Sequence, residues 1–413
     1  MPADTGTASP DEAPLQVRGR FLAEYRELMA IPRARRMAAV GLVSKFPINM
    51  FAVSVLLLIA PRYSYGTAGI AISAMLIANA LTSPLRGRLV DRYPVRVILP
   101  LCLTGYLTGI VGLALSAAAR TPWQVVLAFA ALMGCSFPPV SILMRTYWGS
   151  IAREKSLVSA MSLEAVMMDL TLISGPLLAA WLSTTVSPVL PFVVGGALMT
   201  GAVALMLTLP PAQGRRRPEG SGHWLGPLRS AALRRVFGAI LLFCLTLSAV
   251  EVALPLYAQE HRLTSYTGLY LGALSVGSML GGLTLGARPG LLARNRRLPL
   301  LLVVFLVGAA LLALAARASP LIVLLICPVT GIAIGSTFSA LFMAGGDLAP
   351  KGYENEAQGW AGSLIQVGAA AGAAAGASLA AAYGSATVLA LTPVSVALAI
   401  PLVWRGPTSP NRN

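Results

Sequence analysis

The chain has 413 residues, of which 56% are hydrophobic and only 11% are charged, and its formal net charge is +16. Soluble globular domains carry about 25% charged residues, so this composition, with a mean hydropathy of +0.75, excludes that class. We therefore expect an all-α integral membrane protein.

Residues 1–36 are rich in Ala, Pro, Asp and Arg and lack the apolar core of a cleavable signal. This pattern predicts a disordered N-terminal tail, with a short surface helix over 21–31. Twelve apolar stretches long enough to cross a bilayer follow. They begin near Ala38, Thr67, Val97, Trp123, Leu157, Val189, Val236, Gly268, Leu298, Pro320, Glu356 and Ser385.

Six of these stretches lie in residues 37–209 and six in residues 236–405. The segment 210–235 is rich in Arg, Pro and Gly and is the predicted cytoplasmic linker, while 406–413 forms a tail. Two equal sets predict two six-helix bundles, an arrangement typical of transporters that bind substrate between their halves.

The placement of the 31 basic residues predicts the orientation in the cell (plasma) membrane. With both termini cytoplasmic, nearly all of them lie inside, as the positive-inside rule requires. The exceptions are Arg62, Arg120, Arg262 and Arg317 outside, and Lys45 within a span. The basic charge then faces anionic lipid headgroups, and nucleic acid is not an expected partner, since no basic run is interleaved with aromatic residues.

Ionisable side chains inside a span cost roughly 2.5 to 3.5 kcal/mol at the helix centre, so each needs a partner or a function. Lys45 and Glu164 lie at a similar depth, which makes an ion pair between them possible, and Asp169 and Glu251 lie nearer the middle, one in each half. The three acids are the candidate proton carriers. The alternative is a structural cluster in which Lys45, Glu164 and Asp169 neutralise one another. Arg145 is expected to reach the headgroups or to pair with Asp91 in the turn between the second and third spans, or to turn inward to Glu164.

Polar neutral and aromatic side chains within the spans are candidates for lining a mostly apolar cavity. They are Phe46, Asn49, Phe137, Tyr257, Phe338, Trp360 and Gln366. Packing between helices is the alternative for each of them. No metal-ligand spacing, nucleophile elbow or Walker lysine is present, so the sequence predicts no metal, no cofactor and no enzyme.

Glycines recur every four residues in two spans. They are Gly277 with Gly281 and Gly282 with Gly286 in the eighth span, and Gly368, Gly372 and Gly376 in the eleventh. Small residues at this spacing allow close helix contact. They predict either smooth surfaces for movement between the halves or packing within one half.

The turn between the second and third spans carries the most specific motif. Gly87, Leu89, Asp91, Arg92 and Arg96 match the loop motif of the major facilitator superfamily, although its second glycine and one of its basic residues are replaced. The chain resembles this superfamily over about 36–405. The resemblance implies a twelve-helix transporter in which Asp91 and Arg92 act as a latch that closes the cytoplasmic side.

Gly175 and Pro176 in the fifth span resemble part of the glycine–proline motif of the superfamily's antiporters, which favours export. The arginine that many of those antiporters carry early in the fourth helix is absent, because Ala130 occupies that place. Glu356 corresponds to a recurring polar position near the latch, and a surface carboxylate at a helix start is the simpler interpretation.

These observations predict a monomeric secondary transporter that exports small, largely apolar organic molecules, drugs or metabolites, in exchange for protons by alternating access. Two other functions stay open. One is an uptake symporter or facilitator for sugars or other nutrients, which usually needs a more polar cavity. The other is a membrane scaffold or sensor that transports nothing.

Overall fold

The computed structural model describes residues 23–152, 154–209, 226–263 and 265–404. Twelve helices in this part are long and apolar enough to span a membrane, which confirms the predicted all-α membrane fold. They are α1 Ala34–Ile59, α2 Tyr65–Arg92, α3 Val95–Ala118, α4 Trp123–Ile151, α5 Glu154–Thr185, α6 Leu190–Leu207, α7 Ala231–Glu260, α8 Tyr266–Ala287, α9 Arg294–Ala318, α10 Pro320–Asp347, α11 Glu354–Tyr383 and α12 Ser385–Trp404. Most of the predicted tails and linker lies outside the described residues.

Local chemistry explains where several helices start and break. The side chains of Ser64, Ser230 and Ser319 each accept a hydrogen bond from the backbone N–H three residues further on, which caps α2, α7 and α10. Helix α4 consists of two segments, Trp123–Cys135 and Val140–Ile151, because consecutive prolines between them prevent a continuous helix.

A short helix over residues 23–30 precedes α1. The sequence predicts a surface helix here, but Leu28 is fully buried. The Tyr25 hydroxyl donates a hydrogen bond of 3.2 Å to the Leu283 carbonyl of α8. Burial raises the pKa of the Tyr25 phenol, so it stays a donor over the physiological pH range. This N-terminal helix is therefore attached to the second half of the chain.

The two halves repeat the same helix pairings. In the first half α1 packs against α5 and α2 against α4, and in the second half α7 packs against α11 and α8 against α10. Close backbone contact recurs at these pairs: Gly134 of α4 lies against Met75 of α2, and Gly281 of α8 lies against Ile332 of α10. The halves are thus built on one six-helix pattern.

The glycine stripes serve different contacts. Gly277 and Gly281 pack on α10, and Gly368 and Gly372 pack on the backbone of α7, so these stripes hold the second half together. For these two stripes, the expectation that they form a surface for movement between the halves is wrong. In contrast, Gly282 and Gly286 of α8 face α5 of the first half.

The halves meet through two pairs of helices, α2 with α11 and α5 with α8, with further contacts of α4 and α5 to α10. We call the end of the bundle where α1 begins and α12 ends the latch end. The hydrogen bonds that the described residues show between the halves run from the middle of the helices to this end. The halves are therefore joined on one side of the membrane.

Candidate functional site

The middle of the seam between the halves holds two acids from opposite halves. Asp169 of α5 accepts a hydrogen bond of 2.5 Å from the Ser278 hydroxyl of α8. Glu251 of α7 lies close enough for the charges of the two carboxylates to repel each other. Both side chains are half-buried. The structure thus brings together the two acids that the sequence places near the membrane centre.

A second charged group lies on the latch side of these acids. The Lys45 ammonium of α1 is 2.5 Å from the Glu164 carboxylate of α5, and both side chains are almost fully buried. Lys45 also donates to the Gly41 carbonyl. The ion pair that equal depth makes possible is therefore present, whereas Asp169 pairs with a serine instead of with Lys45.

Arg145 points inward. Its side chain is 8% exposed, and its guanidinium carbon lies 3.7 Å from the centre of the Phe342 ring of α10. Its charge acts on both Lys45 and Glu164. The expectation that Arg145 reaches the headgroups or pairs with the latch is wrong, because an aromatic face of the other half and a nearby carboxylate offer it a buried position.

The latch joins the end of α2 to the start of α11. The Asp91 carboxylate accepts hydrogen bonds from the backbone N–H groups of Asn355 and Glu356, at 3.2 and 2.8 Å, and from the Asn355 amide at 2.7 Å. These donors lie at the positive end of the α11 dipole, which stabilises a negative charge. Gly87 is required beside them, since a Cβ atom there would lie 2.8 Å from backbone atoms of α11.

The arginine of the latch is not the one that the motif suggests. Arg88 forms two hydrogen bonds with Glu356, of 2.9 and 2.7 Å, whereas Arg92 and Arg96 are exposed. Leu89 is half-buried. Glu356 is 1% exposed, so the interpretation of this residue as a surface carboxylate is also wrong.

Closer to the middle, polar side chains extend the α2–α11 contact. The Asn79 amide donates to Gln366 at 3.1 Å, and the Ser83 hydroxyl donates to the Gly359 carbonyl at 3.0 Å. Arg86 is buried and donates to the Asn79 side chain and to the Phe137 carbonyl. The sequence places Arg86 among the cytoplasmic basic residues at the end of the second span, and its burial becomes apparent only from the packing of α2.

The cavity candidates fall into different environments. Phe137 lines a narrow pocket in the first half, together with Asn79 and apolar side chains of α1, α2 and α4. The Asn49 amide of α1 donates a hydrogen bond to the Thr171 hydroxyl of α5. Phe46 packs at the same contact between α1 and α5. In the same region, Gly175 packs on α1 beside the half-buried Pro176.

The aromatic candidates of the second half are mostly packed. Tyr257 is fully buried and its hydroxyl donates to the Ala316 carbonyl of α9, so it does not line a cavity between the halves. Phe338 is 7% exposed and packs between two other phenylalanines. Trp360 is half-buried, and its indole N–H has no hydrogen-bond partner among the described residues.

Twelve spanning helices in two repeated halves, with buried charges at a seam that is joined at one end, define a multi-pass membrane protein of the secondary-transporter class. The sequence pattern of the Major Facilitator Superfamily matches residues 37–373, and the chain belongs to this superfamily. It is therefore a membrane transporter. No curated protein sequence matches it.

Solved structures share the fold. The human organic anion transporter TETRAN is 18% identical, with a TM-score of 0.72 over 90% of this chain and 99% of that one. A bacterial homologue of the iron transporter ferroportin, in an outward-facing state, is 15% identical, with a TM-score of 0.76 over 89% and 97%. The Escherichia coli fucose:proton symporter FucP is 14% identical, with a TM-score of 0.74 over 91% and 98%. At these identities the likeness concerns the fold alone.

Proposed function

We propose that this transporter exports small, largely apolar organic molecules in exchange for protons, with Asp169 and Glu251 as the proton carriers. The observation that carries the proposal is the placement of these two acids, one in each half, near each other at the middle of the seam. Two like charges in a low-dielectric site are costly, so repulsion and burial favour a proton on one of the two carboxylates. Movement of the halves then changes the distance between the acids and with it their hold on that proton.

Export is inferred from the antiporter-like Gly175 and Pro176, and the orientation sets the side from which protons enter. Basic residues at the latch end favour a cytoplasmic location of that end and of both termini in the plasma membrane. With that end cytoplasmic, the closed latch shuts the cytoplasmic side, and we expect protons from outside to reach the acids. Protonation removes negative charge from the seam and favours return of the proton-loaded carrier. Glu164, the third candidate, is held by Lys45 and is better suited to balancing that charge.

The test compares hosts that carry the wild-type chain, Glu251→Gln, Asp169→Asn or the control Glu27→Gln, which alters an exposed acid of the N-terminal helix. Growth inhibition across many toxic compounds identifies those against which the wild-type chain protects. We expect Glu251→Gln and Asp169→Asn to lose protection and the control to keep it, at equal amounts in the membrane.

The same compounds are then measured in proteoliposomes. Export driven by an imposed pH difference should be lost in Glu251→Gln, while counterflow of labelled compound without a gradient persists. Full pH-driven export by both Glu251→Gln and Asp169→Asn would contradict the proposed role of these acids. Accumulation of compound with protons, instead of exchange against them, would favour an uptake symporter. Absence of counterflow for every compound that gave protection would favour a protein that does not transport them.

A further inference from the structure

The guanidinium of Arg145 is the buried charge that the proposed mechanism does not use. A guanidinium carries five N–H donors. In the described part of the chain, its Nε is buried without a hydrogen-bond partner, and the contact that holds the group is the face of Phe342. Desolvated donors without acceptors are costly, whereas a cation over an aromatic ring offsets only part of that cost. The position suits a guanidinium that receives an additional acceptor.

The buried charges around Arg145 carry a net positive charge. Lys45 and Glu164 form an ion pair, and the Arg145 charge acts on both of them, which leaves one excess positive charge. Glu164 uses one carboxylate oxygen for Lys45, and its other oxygen is buried without a partner among the described residues. A second carboxylate, brought by a ligand, would balance this cluster.

The group lies where four helices of the two halves meet. Arg145 is six residues from the end of α4, which places it about 9 Å from the latch end of that helix. Helices α4 and α5 contact α10 there, and α4 also contacts α11. Three further polar atoms on these helices are buried without a described partner: the Ser162 and Thr337 hydroxyls and the Gln358 carbonyl oxygen. Unsatisfied polar atoms on helices that must part at a seam are expected to bind water or ligand when the seam opens.

We propose that Arg145 binds the carboxylate of the transported molecule, so that the substrates are amphiphilic organic acids. A planar guanidinium matches a carboxylate with two parallel hydrogen bonds, and the Phe342 ring beneath it adds an apolar contact for the rest of the molecule. This inference rests on the proposed export function, because a site on the latch side of the middle is where a substrate from the cytoplasm is loaded.

The test is a binding measurement without any gradient, so its outcome is independent of proton coupling. Thermal unfolding of the purified full-length chain is followed with a series of arylalkanoic acids, from phenylacetate to 4-phenylbutyrate, and with the amide of each. We expect acids of the series to raise the melting temperature with concentration, and their amides, which have the same shape but no charge, to have no such effect.

Variants assign the effect to one residue. In Arg145→Gln the apparent affinity for the acids should fall by about 10- to 100-fold, the range expected for a hydrogen-bonded charge pair. Arg145→Lys keeps the charge but not the planar guanidinium, so its affinity for the acids should lie between those of the wild-type chain and Arg145→Gln. This variant replaces Arg145→Gln in the test if the glutamine variant does not fold. Arg317→Gln, an exposed arginine at the opposite end, should bind like the wild-type chain.

Equal effects of acids and amides across the series, including no effect of either, would overturn the inference. So would acid-specific stabilisation that survives in Arg145→Gln. If the acids bind through Arg145 but pH-driven export is absent in liposomes, the proposed proton coupling fails while the inference about substrate stands.

Discussion

Removal of the charge at Glu356 should open the latch end of the protein. Glu356 makes two hydrogen bonds with Arg88, of 2.7 and 2.9 Å, between helices of opposite halves. In Glu356→Gln the ion pair and one of these bonds are lost, while the backbone N–H that binds Asp91 remains. The closed arrangement is therefore weakened without a change of shape.

The size of the effect follows from the geometry. A hydrogen bond to a charged group contributes about 1.5 to 3 kcal/mol, and the Arg88 side chain keeps 25% exposure, which places the net loss near the lower part of that range. A loss of about 2 kcal/mol shifts the equilibrium between closed and open latch by roughly 30-fold. The Arg88→Gln and Glu356→Gln double variant should add little, because the two residues act as one unit.

Accessibility of a buried cysteine measures this shift. Ser339 of α10 is fully buried, and its hydroxyl donates to the Met161 carbonyl of α5, at the contact between α5 and α10. In a background without the four native cysteines, Ser339→Cys is labelled from the latch side with an impermeant maleimide. We expect the rate to rise roughly 30-fold in Glu356→Gln, in proportion to the population of the open state. The exposed Arg92→Gln serves as control; an unchanged rate in Glu356→Gln, or an equal rise in the control, would refute the reasoning.

Two further predictions concern packing. In Gly281→Ala the new Cβ would lie 2.6 Å from the Ile332 carbonyl carbon, so we expect about 1 to 3 kcal/mol of destabilisation, visible as a lower melting temperature in detergent. Gly272→Ala on the same helix meets nothing within 4 Å and is the matched control; equal melting of the two variants would contradict this prediction. Tyr25→Phe should lower stability by about 1 kcal/mol at neutral pH, whereas the exposed Tyr65→Phe should not. Since the folded-state pKa of Tyr25 is raised, its contribution should stay constant up to about pH 10 and fall above it, and a fall near neutrality would exclude the phenol as its source.

The positions of the helices along the chain can be predicted from the sequence more reliably than the face that each helix turns toward its neighbours. Hydropathy alone predicts twelve spans, because each must be apolar whatever its neighbours are. Equal depth also identifies Lys45 and Glu164 as possible partners, since depth is set by counting residues along two helices. Both inferences use properties of single helices measured against the membrane.

The errors arise where the partner lies in the other half. The motif suggests Arg92 for the latch, yet Arg88 binds Glu356, 268 residues away, because the rotation of α2 against α11 decides which arginine faces inward. A single amphipathic helix would send Arg145 to the headgroups, and its burial depends on Phe342 of α10. The position of Tyr257 also depends on a neighbouring helix. Only its packing against α9 distinguishes a core tyrosine from one that faces a cavity.

The repeated halves also explain an asymmetry in the seam. The α2–α11 and α5–α8 contacts occupy equivalent places in the two repeats, but the second half has no counterpart of Asp91. At α5–α8 the Ser159 hydroxyl donates to the Gly286 carbonyl at 2.6 Å, and the N-terminal helix adds the hydrogen bond from Tyr25 to Leu283. A segment outside the repeat thus strengthens the contact that lacks the charged latch. Because that segment continues directly into α1 of the first half but binds α8 of the second, separation of the halves must break this bond as well, and the N-terminal helix contributes to the stability of the closed state.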